Sequence, residues 1–188
     1  MEGRRRSVRL QGYDYAQAGA YFITVCTQNR QCLFGVLKDG EVILSVAGQM
    51  IFRWWTELNR RFPSVETAEF VVMPNHIHGI VVISVGADLC VGPGSNGGQC
   101  AHAGAPLARI VQWFKTMTTN EYIRGVKDKS LPPFSGRLWQ RNYYEHVIRS
   151  EQSLSRIRQY VADNPARWDF DRENPSATKP EPNDVWLR

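Results

Sequence analysis

Phe70-Val71-Val72-Met73-Pro74-Asn75-His76-Ile77-His78-Gly79-Ile80-Val81-Val82-Ile83 places two imidazoles inside otherwise apolar, strand-like sequence. Successive side chains of a β-strand point to opposite faces, so His76 and His78 share one face while Ile77 takes the other. Two imidazoles a single pleat apart can grip one divalent cation. Bare histidines buried in a half-apolar strand cost free energy unless both ring nitrogens find partners, and a metal backed by hydrogen-bond acceptors supplies them. A pair of hydrogen-bonded structural histidines is the alternative. Pro74-Asn75 forms either a tight turn between two antiparallel strands, Thr67 to Met73 and His76 to Ser84, or a bulge in one long strand. Both arrangements keep the histidine face intact.

On the N-terminal side, Ala20 to Thr27 alternates aromatic and β-branched residues and reads as a first strand. Leu33 to Leu37 and Glu41 to Leu44 flank Asp39-Gly40 as a hairpin. Ser45 is placed to cap a helix running to about Arg61, with Val46, Met50, Trp54 and Leu58 on its apolar face, and Pro63 ends it. On the C-terminal side, residues 85–105 form a glycine-rich loop. Cys100 and His102 within it lack the second ligand pair that a zinc site requires. Pro106 opens a helix through Arg124, with Arg109 and Lys115 on its solvated side. Leu138 to Ile148 reads as a strand. Ser150 caps a last helix from Glu151 to about Asn164, stopped by Pro165. The order predicts an α+β fold with a mainly antiparallel sheet and helices packed on one face, plus the C-terminal helix. Residues 1–168 form one domain and 169–188 a polar tail.

At 188 residues with 43% hydrophobic content, the chain builds one sizeable core. No apolar run is long enough to span a bilayer, and the start Met1-Glu2-Gly3-Arg4-Arg5-Arg6 lacks a secretory h-region, so a cytoplasmic location without membrane contact is expected. The cysteines Cys26, Cys32, Cys90 and Cys100 form no CxxC pair and read as reduced thiols. A formal charge of +5 favours a polyanionic partner. Its distribution is more informative. Arg4, Arg5, Arg6 and Arg9 cluster near the start, while Arg137 and Arg141 interleave with Trp139 and Tyr143. Arginine with aromatics is the chemistry of phosphate contact and base stacking, so DNA or RNA is the expected partner class. Lys115 joins these as a candidate DNA contact.

In the last helix, Leu154, Ile157 and Val161 form a docking stripe with Tyr160 at its border, and the i, i+4 spacing puts Asn164 on the same side as Tyr160. A phenol with a pKa near 10 is a poor nucleophile at neutral pH, but a divalent metal polarising a phosphodiester makes its attack workable. The products would be a 5′-phosphotyrosine link and a free 3′ hydroxyl. Tyr143 and Tyr144 are rival nucleophiles, but as strand neighbours they face opposite ways, and neither is paired with an amide on a helix.

The motifs Gly12-Tyr13-Asp14-Tyr15 with Ala18 to Thr24, Met73-Pro74-Asn75-His76-Ile77-His78-Gly79, Leu138 to Arg149 and Tyr160-Val161-Ala162-Asp163-Asn164-Pro165 together resemble a REP-associated tyrosine transposase. That family is related to the IS200/IS605-type transposases within the HUH single-strand nuclease superfamily. The resemblance implies a ferredoxin- or RRM-like HUH fold, Mg²⁺ or Mn²⁺ held by His76, His78 and Asn164, and Tyr160 as nucleophile. It further implies that the protein cuts single-stranded DNA beside palindromic hairpins, with residues 139–144 as a recognition surface and no nucleotide cofactor. The state would be monomer or homodimer. The contrasting reading is a hairpin-DNA binder that does not cut. A two-histidine phosphoesterase would need a second His-x-Thr or His-x-Ser, which neither His102 nor His146 supplies.

Overall fold

His76–Ile83 forms strand β5, and its neighbours settle the fold. A computed structural model of the chain describes residues 18–84 and 107–178. Arg4, Arg5, Arg6, Arg9, the Gly12–Tyr15 motif, Cys90, Cys100, His102 and the glycine-rich loop lie outside the described residues. The remaining elements are β1 (Gly19–Cys26), β2 (Gly35–Lys38), β3 (Glu41–Leu44), α1 (Val46–Arg61), β4 (Val65–Val72), α2 (Leu107–Lys127), β6 (Tyr144–Ile148) and α3 (Glu151–Asp163). Strands β4, β5, β1 and β6 make one sheet in that order, antiparallel at every step. Strands β2 and β3 form a separate ribbon.

Pro74-Asn75 is a turn. The Met73 N–H donates to the His76 carbonyl at 2.9 Å, and β4 pairs with β5 beyond it. Asp39 and Gly40 both take positive φ, 52° and 80°, as the tight turn of a twisted hairpin requires. Both serine caps form: Ser45 accepts from the Gly48 N–H at 3.1 Å and Ser150 from the Ser153 N–H at 3.2 Å.

The period-2 alternation divides the sheet into two faces with separate cores. Tyr21, Ile23, Val25, Ile77 and Val81 pack under α1 and α2, against Ile51, Trp55 and Leu58 of the first and Ile110 and Phe114 of the second. Each such side chain contributes about 1.5–3 kcal/mol on full burial. Phe22, Ile80 and Ile148 point the other way and receive Ile157 and Val161 of α3. Thus α1 and α2 share one face, and the tyrosine-bearing helix takes the opposite one, where the histidines are.

Two expectations are revised. The strand foreseen over Leu138–Ile148 is regular only from Tyr144, because the Lys115 ammonium draws in the carbonyls of Gln140, Arg141 and Asn142 (2.9, 3.4 and 3.3 Å), so they do not serve a ladder. The chain after Trp168 is not a tail throughout. Asn164 keeps right-handed helical angles (φ −57°, ψ −41°) ahead of Pro165, and a 3-10 turn over Pro165–Phe170 brings Asp171 and Glu173 back toward the start of β5.

Candidate metal and nucleophile site

Strand pairing brings β1 and β5 into register with Thr24 opposite His78 and Cys26 opposite His76. Both imidazoles lie on the α3 face and are buried, at 0% and 3% exposure. Their ring nitrogens are fully engaged. The Asn75 amide nitrogen donates to the carbonyls of Arg30 (3.2 Å) and Glu173 (2.7 Å), which turns its Oδ1 toward His76 Nδ1 at 2.8 Å. A carbonyl oxygen only accepts, so His76 carries its proton on Nδ1 and presents a lone pair at Nε2. That lone pair faces His78 Nε2 at 3.0 Å, while His78 Nδ1 meets the Thr24 hydroxyl at 2.8 Å.

A third group converges on the same point. Asp171 Oδ2 lies 3.5 Å from His76 Nε2, and the ligand atoms of His76, His78 and Asp171 fall within 4.8 Å of one another. Burial, reinforced by the Arg30 charge, lowers the His76 pKa to about 3, and burial with the neighbouring ring lowers His78 well below its ordinary value. Both are therefore neutral imidazoles at physiological pH, the form that ligates metal. Two lone-pair nitrogens and a carboxylate oxygen share at most one proton between the rings, so the donor set suits a cation. The 3.0 Å between the nitrogens also matches neighbouring positions about a centre with bonds of roughly 2.1 Å.

Tyr160 belongs to this face. Its ring centroid is 5.3 Å from that of His78, and Phe22 contacts both, stacking on His78 at 5.3 Å and meeting Tyr160 edge-on at 6.0 Å. One turn later Asn164 is 2% exposed, and its Oδ1 has no hydrogen-bond partner among the described residues. A buried acceptor without a donor costs about 1–3 kcal/mol, a cost that a cation within reach would remove. Trp168, one turn further, stacks against His76 at 6.1 Å. The helix and the turn that follows it therefore cover the two histidines from Tyr160 to Asp171.

Among the foreseen nucleic-acid contacts, Arg137 and Arg141 are exposed. Trp139 is not a stacking platform. It is 4% exposed, packs on Phe34 and Phe114, and donates its indole N–H to the Thr118 hydroxyl at 2.9 Å. Lys115 is not solvated either, since its ammonium holds three backbone carbonyls and stands 5.5 Å from the Tyr143 ring centroid. Burial lowers its pKa to about 8. Tyr143 is partly buried against the main core.

Sequence reasoning missed Asp171, Thr24 and Asn75 as members of the site. Asn75 stood beside His76, but its role depends on carbonyls of residues 30 and 173. Thr24 had a legible signal, since a polar residue interrupts the apolar face of β1 at the level of His78.

No family model matches the chain. Two solved structures are similar to it in backbone. One, a REP-associated tyrosine transposase bound to a REP hairpin, is 22% identical, with 89% of this chain and 74% of that chain covered and a TM-score of 0.49. The other, a candidate transposase from Deinococcus radiodurans R1, is 15% identical, with 82% of this chain and 95% of that chain covered and a TM-score of 0.45. An uncharacterized protein of Haemophilus influenzae (strain Rd) is 38% identical over 172 residues, which make up 89% of this chain and 92% of that protein. With that identity over nearly the full length of both, the chain belongs to the same protein family as the Haemophilus protein.

Proposed function

We propose that the protein is a tyrosine-dependent single-stranded DNA endonuclease and strand transferase, of transposase type, acting beside palindromic hairpins. The observation that carries the reading is the placement of Tyr160 against His78, on the sheet face where His76, His78 and Asp171 converge. His76 and His78 would hold Mg²⁺ or Mn²⁺, with oxygen from Asn164 or Asp171 beside them. When bound, the cation supplies charge to polarise the scissile phosphodiester.

The remaining chemistry belongs to the chain. Tyr160 Oη attacks the phosphorus, the bond to the 3′ oxygen breaks, the phenol proton passes to solvent, and the departing oxygen takes up a proton as a 3′ hydroxyl. The phosphotyrosine ester retains the energy of the broken bond, so a second 3′ hydroxyl can reverse the step without ATP. α3 delivers the phenol as part of a rigid element. Phe22 fixes its ring relative to His78, and Asn75 and Thr24 hold the imidazoles in place.

The burial of His76 and His78 favours a second reading, a domain that binds the same hairpin DNA without cutting it. A labelled single-stranded hairpin incubated with Mn²⁺ separates the two. The first reading expects a covalent 5′-phosphotyrosyl adduct with wild type and none with Tyr160→Phe. Binding by wild type with no adduct under any metal condition would establish the second. An adduct that survives Tyr160→Phe would move the nucleophile to Tyr143 or Tyr144. No helix among the described residues is long and apolar enough to cross a membrane. A cytoplasmic site of action and a monomeric or homodimeric state complete the proposal.

A further inference from the structure

Glu173 is not one of the converging donors, yet three of its groups reach residues that build the histidine site. Its backbone N–H donates to Asp171 Oδ1 at 2.6 Å, which leaves Oδ2 as the oxygen 3.5 Å from His76 Nε2. Its backbone carbonyl accepts from the Asn75 amide at 2.7 Å, one of the contacts that turn Asn75 Oδ1 onto His76 Nδ1. Its carboxylate accepts from Arg30 Nε at 3.0 Å. The Cys26 thiol, kept protonated by burial, hydrogen-bonds to the same carboxylate. Glu173 is therefore fastened by its side chain and acts through its main chain.

Arg30 closes the arrangement from the other side, because its own carbonyl is the second acceptor for Asn75, at 3.2 Å. To present that carbonyl, Asn29 and Arg30 take left-handed angles (φ 57° and 54°), which asparagine tolerates and arginine rarely adopts. Such a backbone persists where its surroundings over-determine it. Here the Arg30 N–H donates to the Thr27 carbonyl at 3.2 Å, the Thr27 hydroxyl to the Gln31 carbonyl at 2.9 Å, and the Thr27 N–H to the Asn75 carbonyl at 2.8 Å. Arg30 and Glu173 thus each hold Asn75 by a carbonyl and each other by a side chain.

The consequence lies in the chemistry of an amide. Two carbonyl oxygens can face only the NH₂ end of Asn75, so its oxygen must face His76. Were the Glu173 carbonyl to withdraw, the amide could turn over and donate to His76 Nδ1, which would then accept. The ring proton would move to Nε2 and fill the lone pair that points at His78 and Asp171. From this arrangement we infer that the Arg30–Glu173 pair is a positioning device, which locks His76 in its Nδ1-protonated tautomer and aims Asp171 Oδ2 at the same point. The inference rests on the reading of His76, His78 and Asp171 as a cation site within the proposed function.

Two readouts test it. By NMR of the ring nitrogens in metal-free protein at neutral pH, wild-type His76 should carry its proton on Nδ1 alone. Glu173→Ala and Arg30→Ala should each introduce a population protonated at Nε2, whereas Glu173→Gln, which keeps an acceptor oxygen for Arg30, should retain the wild-type tautomer. In titrations with hairpin DNA present, both alanine variants should bind Mn²⁺ about 10–100-fold more weakly. The double variant should be no worse than either single one, since both break the same tie. The metal-free Tm should stay within about 4 °C of wild type, because the pair is partly exposed, at 41% and 20%, and adds little to global stability. A His76 proton that stays on Nδ1 in both alanine variants would overturn the inference, and so would an Mn²⁺ affinity that they share with wild type. The tautomer readout needs no metal, so it decides the matter even for a protein that binds none. An adduct at Tyr160 with an unmoved tautomer refutes the positioning device alone, and a displaced tautomer without any wild-type adduct refutes the nuclease reading alone.

Discussion

His76 Nε2 and His78 Nε2 lie 3.0 Å apart with room for one proton between them. Asn75 fixes the His76 proton on the opposite nitrogen, so the shared proton is carried by His78, whose Nδ1 then accepts from the Thr24 hydroxyl. A cation would displace that proton, and His78 would turn to donating from Nδ1. Thr24 serves both states because a hydroxyl donates and accepts. Mn²⁺ should therefore stabilise the protein. At ten times its dissociation constant the gain is about 1.4 kcal/mol, or roughly 3–6 °C in Tm. His76→Ala and His78→Ala should abolish the shift, and Thr24→Val should reduce it by leaving the donating tautomer unpaired. A wild-type Tm indifferent to millimolar Mn²⁺, with and without hairpin DNA, would reduce the histidines to structural roles.

Asp171 tests whether the third oxygen comes from the segment after α3. Its carboxylate stands 3.5 Å from His76 Nε2 and is buried at 8% exposure. Asp171→Asn keeps the shape and removes the charge. A ligand or a partner close behind one typically changes metal affinity by about 10–100-fold, so the variant should need correspondingly more Mn²⁺ for the same Tm shift. An unchanged metal titration, with Asn164→Ala alone impaired, would assign the third position to Asn164.

Gly79 is required for packing even though it follows directly on a site residue. It lies on the face away from the histidines, and a Cβ there would fall 2.5 Å from two ring carbons of Trp55 and 3.1 Å from Phe70. Trp55 stacks on Phe70 at 4.3 Å, so neither ring can yield without disturbing the other. Gly79→Ala should cost about 1–3 kcal/mol, roughly 3–10 °C in Tm. Adding Trp55→Leu should make the double variant more stable than the sum of the single effects implies, because the two sites share one volume. Strict additivity in thermal unfolding would place the cost elsewhere.

The sequence made visible what local periodicity and caps dictate. His76 and His78 shared a face because strands alternate, Asp39-Gly40 turned, and Ser45 and Ser150 capped their helices. Tyr160 reached the histidine face because Ile157 and Val161 docked α3 there. Long-range reversals were not legible. Asp171 follows Pro165, which signals a helix stop, yet proline also suits the first turn of a new helix, and the 3-10 turn that resulted reversed the chain. Trp139 read as a nucleic-acid aromatic because its neighbours are arginines. Its burial depends on Phe34, Phe114 and Thr118, which lie far away in sequence.

Lys115 ties α2 to the segment 140–142 through three backbone carbonyls and carries a test through pH. Its proton is lost at about 8 in the folded protein against about 10.5 when unfolded, because burial opposes the charge. The native state thus holds fewer protons than the unfolded state between those values, and the charged ammonium costs stability below pH 8, a cost relieved as pH rises toward 10.5. Lys115→Met should therefore keep or raise Tm at pH 7, since the methionine stem fills the same space and the carbonyls of exposed residues 141 and 142 can turn to water. Its affinity for a flanked hairpin should nevertheless fall, because segment 140–142 loses its anchor. Wild-type affinity should decline as pH rises through 8, whereas the variant, already lacking the charge, should show no step there. A variant that binds the flanked hairpin as wild type does, with the same pH profile, would show that the ammonium does not hold segment 140–142 in its binding conformation.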